Sequence, residues 1–177
     1  MTIMKLDEMP RPKMRRHDRE VTATKDILSI IDACEVMRLG IADGDYPYIV
    51  PVNFAYQYKD GELFLYLHGA SAGRKYELLR KNGCCTFEMD THGDFLFFPE
   101  KKDVSIAYQC VMGKATVTFL ETIAEKKAAF DNIIMARRAD TAHFPYNEAA
   151  LSRVSVACLA VTEISAKANS PSHPTVD

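Results

Sequence analysis

The feature that most constrains the fold is a pair of strand-type segments joined by a tight turn. Tyr48–Tyr58 and Glu62–His68 are rich in aromatic and apolar side chains, and the dipeptide Asp60-Gly61 lies between them. An Asp-Gly pair in this position predicts a hairpin, because glycine adopts the positive φ that a two-residue turn requires. The strand-type segments come in such runs and not in strict alternation with helices. This order predicts a mainly β, antiparallel, Greek-key-like barrel with a few helices packed outside it.

The remaining elements follow from periodicity and from cap and turn residues. Further strands are predicted over Val36–Ala42, Cys84–Met89, Val104–Phe119 (with a bend at Gly113) and Ser152–Ile164. Helices are predicted after Thr24 as N-cap, over Arg74–Lys81 with Gly83 as stop, and from the capping box of Thr122 and Glu125 to about Arg138. Loops are predicted over Gly69–Gly73, Thr91–Lys102 and Asp140–Ala150.

The chain has the size of a single domain. Its 177 residues suffice for one sizeable core. Residues 1–20 are basic and contain two prolines, so we expect an extended arm that is not packed as an element. The barrel is expected over residues 21–166, and a Pro/Ser-rich tail over residues 167–177.

Charge and apolar patterning exclude several classes of partner. The formal net charge is −2, which gives no general attraction for nucleic acid or for acidic membrane surfaces. The longest apolar runs have the length of strands, well short of a membrane span, and the basic N-terminus lacks the apolar core of a secretory signal. Five cysteines without metal-type spacing are expected to be reduced and mostly buried, which favours a cytoplasmic protein.

The stretch from His68 to Lys75 is the clearest candidate site. A strand ends at His68, the small residues of Gly69–Gly73 follow, and a helix then opens with Arg74 and Lys75. Small residues let backbone N–H groups approach an anion, and a helix N-terminus offers unpaired donors. Arg74 can bind two phosphate oxygens, and Lys75 adds a compact charge. The alternative is an ordinary strand–helix connection with two solvated cations.

A longer series of segments resembles the Nim-type nitroimidazole-reductase family, within the pyridoxamine 5′-phosphate oxidase-like proteins. The segments that carry the resemblance are Met14–Arg16, Cys34–Gly40, Tyr48–Phe54, Leu67–Ala70, Gly73–Lys75, Leu79–Asn82, Phe87–Asp90 and Gly113–Ala115. They extend over about residues 14–165, nearly the whole chain. The resemblance implies an FMN-binding split β-barrel that works as a homodimer, with two flavins at the subunit interface.

The resemblance also assigns residues to the flavin. The strand segment Val50, Pro51, Val52, Asn53 and Phe54 would lie along the flavin ring, and His68, Gly69 and Ala70 would lie beside it. Arg74 and Lys75 match the pair that holds the flavin phosphate, and Ser105 and Tyr108 would contact the flavin of the other subunit. His68 is the candidate catalytic residue, as proton donor or relay. Its alternative is a partly buried strand histidine, and the alternative for Asn53 is an amide bonded to local backbone.

The implied function is a flavin-dependent reductase of small oxidised compounds such as nitroimidazoles, with the redox chemistry carried by the flavin. The alternative is a protein that binds flavin or haem without turnover, since fold does not decide function. FAD or a deazaflavin shares the tricyclic ring and phosphate with FMN and stays open. No metal is expected, because the segment Asp90–Asp94 is typical of a hairpin turn. The segment Ile164–Ser170 lacks arginine, which argues against oxidation of pyridoxamine phosphate.

Overall fold

The computed structural model describes residues 4–134 and 147–169. Its strands are β1 (Val36–Ile41), β2 (Tyr48–Asn53), β3 (Ala55–Lys59), β4 (Glu62–Ala70), β5 (Cys84–Phe98), β6 (Asp103–Leu120) and β7 (Val154–Asn169). Its helices are α1 (Thr24–Ala33), α2 (Arg74–Asn82), α3 (Ile123–Ala129) and α4 (Glu148–Ser152), with short 3₁₀ turns at His17–Arg19 and Pro99–Lys101.

The seven strands form one antiparallel sheet that is split between β2 and β3. The order is β2-β1-β5-β6-β7-β4-β3, so β2 and β3 lie at opposite ends of the sheet. Only Phe54 joins them in the chain, and the predicted single strand over Tyr48–Tyr58 is therefore wrong. Because consecutive Cα atoms are about 3.8 Å apart, the two ends of the sheet must come together at Phe54. The sheet is rolled without being closed, which confirms the split β-barrel.

Alternating residues of the strands fill the interior. Each strand sends every second side chain inward, as the pleat requires. The inward side chains include Leu39, Val52, Leu65, Phe87, Val111 and Leu159. Ile27, Ile30 and Ile31 of α1 belong to the same core. The predicted capping role of Thr24 is wrong, since Thr24 is the first helical residue and Ala23 precedes it without a side-chain cap.

A second apolar cluster lies on the outer face of β4 and β7. Tyr66 and Val156 are covered there by Phe130 and by Leu151 of α4. The capping box of Thr122 and Glu125 is confirmed. The helix that it starts ends at Ala129 and continues as a π-helical turn over Phe130–Ile134, while the rest of the predicted helix falls outside the described residues. The predicted loop over Asp140–Ala150 is wrong in its described part, since Asn147 caps α4 and residues 148–150 are helical.

β5 and β6 extend past the other strands as a two-stranded ribbon. The predicted loop over Thr91–Lys102 is wrong, because β5 continues to Phe98 and pairs with β6. A bulge between His92 and Phe95 sets two residues of β5 against Ala107. It also shifts the alternation, so that Phe95 faces the side of the sheet that His92 faces.

The N-terminal segment packs on the barrel, contrary to the expectation of an unpacked arm. Leu6 and Met9 are buried in the main core, and the amide of Leu6 donates to the carbonyl of Gly61 at 2.7 Å. Glu20 bridges to Lys167 on the outer edge of β7, and the amide of Val21 donates to Ala166. β7 continues to Asn169, beyond the predicted end at Ile164, because β6 pairs with it along one edge and the N-terminal segment covers the other.

Gly113 lies beside the irregularity of the long strands. The pairing of β6 with β7 shifts after Lys114, and the extra residue is Thr162 of β7. β6 itself runs through Gly113 as one strand. A Cβ at Gly113 would collide with the carbonyl oxygen of Glu163 and with the ring of Phe87. A glycine is required there because Phe87 and β7 approach the backbone from two sides.

All five cysteines are free thiols, as expected, and Cys34, Cys85 and Cys110 are buried. Across residues 4–134 and 147–169, no helix is both long enough and apolar enough to cross a membrane.

Candidate functional site

The N-terminus of α2 is open. Gly73 precedes the helix at φ 127°, a conformation that favours glycine, and no side chain caps the first turn. Gly69 and Ala70 belong to β4, so the loop before the helix is shorter than predicted, at residues 71–73. The first-turn N–H groups of a helix of nine residues, together with its dipole, form a place for an anion.

Lys75 is a half-buried cation at this opening. Burial lowers the pKa of its ammonium group, because a charge removed from water is less stable. Its Nζ lies 4.7 Å from the ring centre of Tyr76, and among the described residues it makes no ion pair. Lys75 therefore carries a partly desolvated charge that an anionic ligand would compensate.

Arg74 points toward the turn between β1 and β2. Its Nε donates to Asp43 at 2.9 Å, and its guanidinium lies 5.1 Å from the ring centre of Tyr48. The side chain is about two-thirds exposed. Arg74 thus connects α2 to the start of β2, and it would have to leave Asp43 to bind a phosphate with both nitrogens.

His68 lies on the outer face at the end of β4. Its ring is edge-on to Phe130, with 5.1 Å between the ring centres. Burial and, to a smaller extent, the charge of Lys75 lower the pKa of His68. A pKa below the ordinary value of about 6.5 favours the neutral imidazole at pH 7.

Gly69 and Ala70 complete the end of β4. Gly69 accommodates Tyr76, since a Cβ at Gly69 would be 2.8 Å from the Tyr76 hydroxyl oxygen. That hydroxyl is buried and has no hydrogen-bond partner among the described residues. An orphaned buried hydroxyl next to Lys75 is a second polar group at the opening of α2 that a ligand would satisfy.

The segment Val50–Phe54 forms an open edge. β2 pairs only with β1, which explains how Pro51 is tolerated without a ladder donor. Val52 and Phe54 are buried in the core, Val50 packs against it, and Pro51 and Asn53 are exposed. The edge begins beside α2, because Tyr48 lies against Arg74.

Ser105 and Tyr108 lie far from these residues within one chain. In the strand register, His68 is opposite Val156 of β7, whereas Tyr108 is opposite Asn169. At about 3.3 Å per residue, the two positions are roughly 40 Å apart along β7. Within one chain, His68 and Tyr108 therefore lie opposite positions near the two ends of β7.

The surroundings of Ser105 and Tyr108 include residues that the sequence did not indicate. The amide group of Asn169 donates to Ser105 Oγ at 2.9 Å, and Arg19 donates to the hydroxyl of Tyr108 at 3.2 Å. Lys167 lies 5.6 Å from the ring centre of Tyr108. The only sequence signal for these residues was the basic character of the N-terminal segment. Sequence alone does not show that this segment lies along β7.

A groove of about 410 Å³ crosses the outer face of the sheet between these two regions. Its lining includes Arg38, Glu88, Met112, Lys114 and Glu163. Its charges are mostly paired: Arg38 donates to Glu88 at 3.1 Å, and Lys114 donates to Glu163 at 2.9 Å. Among the described residues, no group of three His, Cys, Asp or Glu side chains is arranged to hold a metal ion.

Solved structures share this fold. A proposed 5-nitroimidazole antibiotic resistance protein from Bacteroides thetaiotaomicron is 29% identical, with a TM-score of 0.74, over 84% of this chain and 86% of that one. A flavocytochrome from Azotobacter vinelandii is 19% identical, with a TM-score of 0.74, over 93% and 75%. A FAD-binding protein from Mesorhizobium loti is 21% identical, with a TM-score of 0.60, over 86% and 98%.

No curated protein sequence matches the chain significantly. A family model described as pyridoxamine 5′-phosphate oxidase matches residues 23–168, which include every residue singled out from β2, β4, α2 and β6. Together with the split barrel and the similarity to the Bacteroides protein, this match confirms the resemblance that the sequence motifs indicate. The chain belongs to the pyridoxamine 5′-phosphate oxidase-like family.

Proposed function

We propose that the protein is a homodimeric flavoprotein that uses FMN to reduce small oxidised organic compounds, with nitroimidazoles as the model substrates. The observation that carries the proposal is Lys75, a half-buried ammonium group without an ion-pair partner among the described residues, beside the open N-terminus of α2. Such a position suits a phosphate, because the helix dipole and the lysine charge act on the same anion.

The residues present fit a flavin mononucleotide. Its phosphate would be held by Lys75 and the first turn of α2, with Arg74 able to join when it leaves Asp43. The unpaired edge of β2, with Pro51 and Asn53 exposed, offers backbone groups to the polar edge of the ring. When bound, the flavin supplies the electron-transfer chemistry, and the protein binds and orients it. FAD and deazaflavins present the same ring and phosphate to these residues.

His68 is the proton donor of this proposal. Because its pKa is lowered, the imidazole is neutral at pH 7 and keeps one N–H for a hydrogen bond. It would donate to the anion that develops on a substrate as it is reduced. Lys75 has two effects here: it would hold the phosphate, and its charge adds to the effect of burial in lowering the pKa of His68.

A second copy of the chain completes the proposed site. Tyr108 lies roughly 40 Å along β7 from the position opposite His68, which supports a flavin contact from another subunit. The ribbon beyond Tyr108 exposes an apolar face made of Phe95 (63% exposed), Phe97 (72%), Val104 (55%) and Ile106 (46%). A contiguous apolar surface of this kind is typical of an interface.

The contact between His68 and Phe130 favours a second candidate function. If the imidazole only packs against Phe130, the protein binds a flavin, or haem, without catalysing its turnover. Both functions require ligand binding at α2, and they differ in whether reduced nicotinamide is consumed when a nitroimidazole is present.

The experiment first measures FMN binding, using the quenching of FMN fluorescence as the signal. Lys75→Gln is expected to lose about 1.5–3 kcal/mol of binding free energy, the usual value of a hydrogen bond to a charged group. Lys127→Gln is the matched control, because Lys127 of α3 is an exposed cation paired with Asp131. Wild-type protein that does not bind FMN would overturn the proposal. FMN binding without turnover of nitroimidazole and reduced nicotinamide would establish the second candidate.

A further inference from the structure

The aromatic ring of Tyr76 is fixed between α2 and the sheet. Tyr76 is 2% exposed and belongs to the main core. Phe119 of β6 packs edge-on against it, with 6.0 Å between the ring centres. Gly69 of β4 leaves room for the Tyr76 hydroxyl, which would lie only 2.8 Å from a Cβ at that position. The position of the ring is therefore set by contacts from two strands and by its own helix.

Arg80, which follows Tyr76 by one helical turn, supports this packing. Its guanidinium carbon lies 4.1 Å from the ring centre of Phe119, and its guanidinium donates to Ser155 Oγ at 3.2 Å. Ser155 is buried on β7, opposite Gly69. Residues four positions apart lie on the same face of a helix. Tyr76 and Arg80 therefore both contact Phe119, and Arg80 connects this face of α2 to β7.

The ammonium group of Lys75 lies over this fixed ring, with Nζ 4.7 Å from its centre. The negative face of an aromatic ring attracts a cation, and the attraction grows as the cation is removed from water. Lys75 is half-buried, and burial lowers the pKa of its ammonium group. Consecutive residues of a helix do not face each other, so the long side chain of Lys75 has to bend over the ring. The ring of Tyr76 is therefore the contact that fixes the ammonium group among the described residues.

We propose that Tyr76 is the positioning residue of Lys75: the face of its ring holds the ammonium group at the opening of α2, where the charge distinguishes a flavin that carries a phosphate from one that does not. This inference rests on the proposed function, because it takes Lys75 as the residue that binds the flavin phosphate. A lysine side chain is a flexible four-carbon stem, and ordering it on binding costs free energy. Tyr76 removes part of that cost, because it orders the side chain before the flavin binds.

The test compares the affinity of the full chain for FMN with its affinity for riboflavin, which has the same ring and no phosphate. Both are measured by fluorescence quenching, and the ratio of the riboflavin to the FMN dissociation constant reports the phosphate interaction alone. A loosened fold weakens both affinities and leaves this ratio unchanged. Tyr76→Leu is expected to lower the ratio about 3- to 30-fold, the usual strength of a contact between a cation and a ring. Tyr76→Phe, which keeps the ring, is expected to retain most of the ratio.

A trifluorinated phenylalanine at position 76 separates the charge of the ring face from the packing of the ring. Fluorine atoms withdraw electrons from the face, while the ring still fills the space that leucine would leave open. This variant is expected to lower the ratio below that of Tyr76→Phe, toward that of Tyr76→Leu. Phe87→Leu is the matched control, because Phe87 is an equally buried ring of the same core, and it is expected to leave the ratio unchanged.

A double-mutant cycle with Lys75→Gln shows whether Tyr76 acts through Lys75. In the Lys75→Gln background, Tyr76→Leu is expected to lower the ratio no further. The inference is overturned if the fluorinated variant keeps the ratio of Tyr76→Phe, or if Tyr76→Leu lowers the ratio equally with and without Lys75. A wild-type protein that binds both flavins equally well would instead overturn the phosphate role of Lys75 in the proposed function, and this inference with it.

Discussion

The imidazole of His68 packs edge-on against the ring of Phe130, with 5.1 Å between the ring centres and 62° between the ring planes. This contact fixes one side of the histidine on the outer face of β4. The role of His68 can be tested by measuring the turnover rate and the amount of bound flavin separately. Replacement by alanine removes the proton donor and also the contact with Phe130. The two effects can be told apart when each rate is divided by the amount of flavin bound.

For His68→Ala we expect a turnover of nitroimidazole per bound flavin that is about 10²–10⁴-fold lower, the usual contribution of a general acid. Phe130→Leu is the control, because it changes the packing around His68 and keeps the imidazole. It is expected to leave the rate per flavin within a few-fold of wild type. An unchanged rate per flavin in His68→Ala would show that the histidine only packs.

The pKa of His68 itself gives a second prediction. The ordinary pKa of histidine is about 6.5, and burial and the charge of Lys75 hold the pKa of His68 below that value. Lys75→Met removes the charge and keeps the burial, so the pKa of His68 should rise and remain below 6.5, as measured by NMR titration of the imidazole protons. A pKa that does not change would show that Lys75 does not act on His68.

The same shift sets a pH dependence of folding. Since the folded-state pKa is the lower one, the unfolded chain takes up a proton first as the pH falls. The contribution of His68 to stability is therefore complete above about pH 6.5 and is lost as the pH falls from there through the folded pKa. Denaturant unfolding should show that the free energy of unfolding falls less over this pH window in Lys75→Met than in the wild type.

Gly113 gives a prediction about the barrel itself. Its absent side chain leaves room for the carbonyl oxygen of Glu163 and for the ring of Phe87, 2.5 Å from where a Cβ would lie. Gly113→Ala is expected to lower the free energy of unfolding by about 1–3 kcal/mol or more, because backbone of β7 has to move. Gly40→Ala meets the hydroxyl of Thr86, which can rotate away, and should cost less. Equal losses in urea unfolding would contradict this assignment.

The apolar face of the ribbon gives a prediction about assembly. Phe95 and Phe97 lie on this face, and Phe98 lies on the opposite face of the same strand. Phe95→Ser with Phe97→Ser should raise the dimer dissociation constant by about tenfold or more per phenylalanine, since each buried phenylalanine contributes about 1.5–3 kcal/mol. Phe98→Ser is the matched control. The dimer dissociation constants are measured by analytical ultracentrifugation. Equal constants in both variants would show that the ribbon is not part of the interface.

Much of the fold was predictable from local signals. The hairpin at Asp60-Gly61 and the stop of α2 at Gly83 follow from turn and cap residues, and the structure confirms them. The split between β2 and β3 was not predictable, because Tyr48–Tyr58 has strand character throughout. The break at Phe54 results from rolling the sheet, which depends on the pairings of β1 with β5 and of β4 with β7, strands that are distant in sequence.

The ribbon and the N-terminal segment were missed for related reasons. Asp90–Asp94 has the composition of a turn, yet its residues are held in β5 by pairing with β6 and by a bulge. Residues 4–20 are polar overall, and burial of Leu6 and Met9 depends on a surface that forms only in the folded barrel. The opening of α2 was found because small residues and cations are adjacent in the chain. The cluster around Tyr108 joins residues almost 150 positions apart, and no local pattern signals it.

The most direct measurement of the central claim is complementation between two defective subunits. In the proposed dimer each flavin lies between Lys75 of one chain and Tyr108 of the other, so Lys75→Gln and Tyr108→Ala homodimers each lose both sites. Co-expression of the two variants gives mixed dimers in which one of the two sites has neither change. We expect FMN binding with wild-type affinity to return to about a quarter of the sites, as random pairing in a twofold dimer implies. Binding that does not return in the mixture, with dimers present by light scattering, would contradict a flavin site shared between subunits.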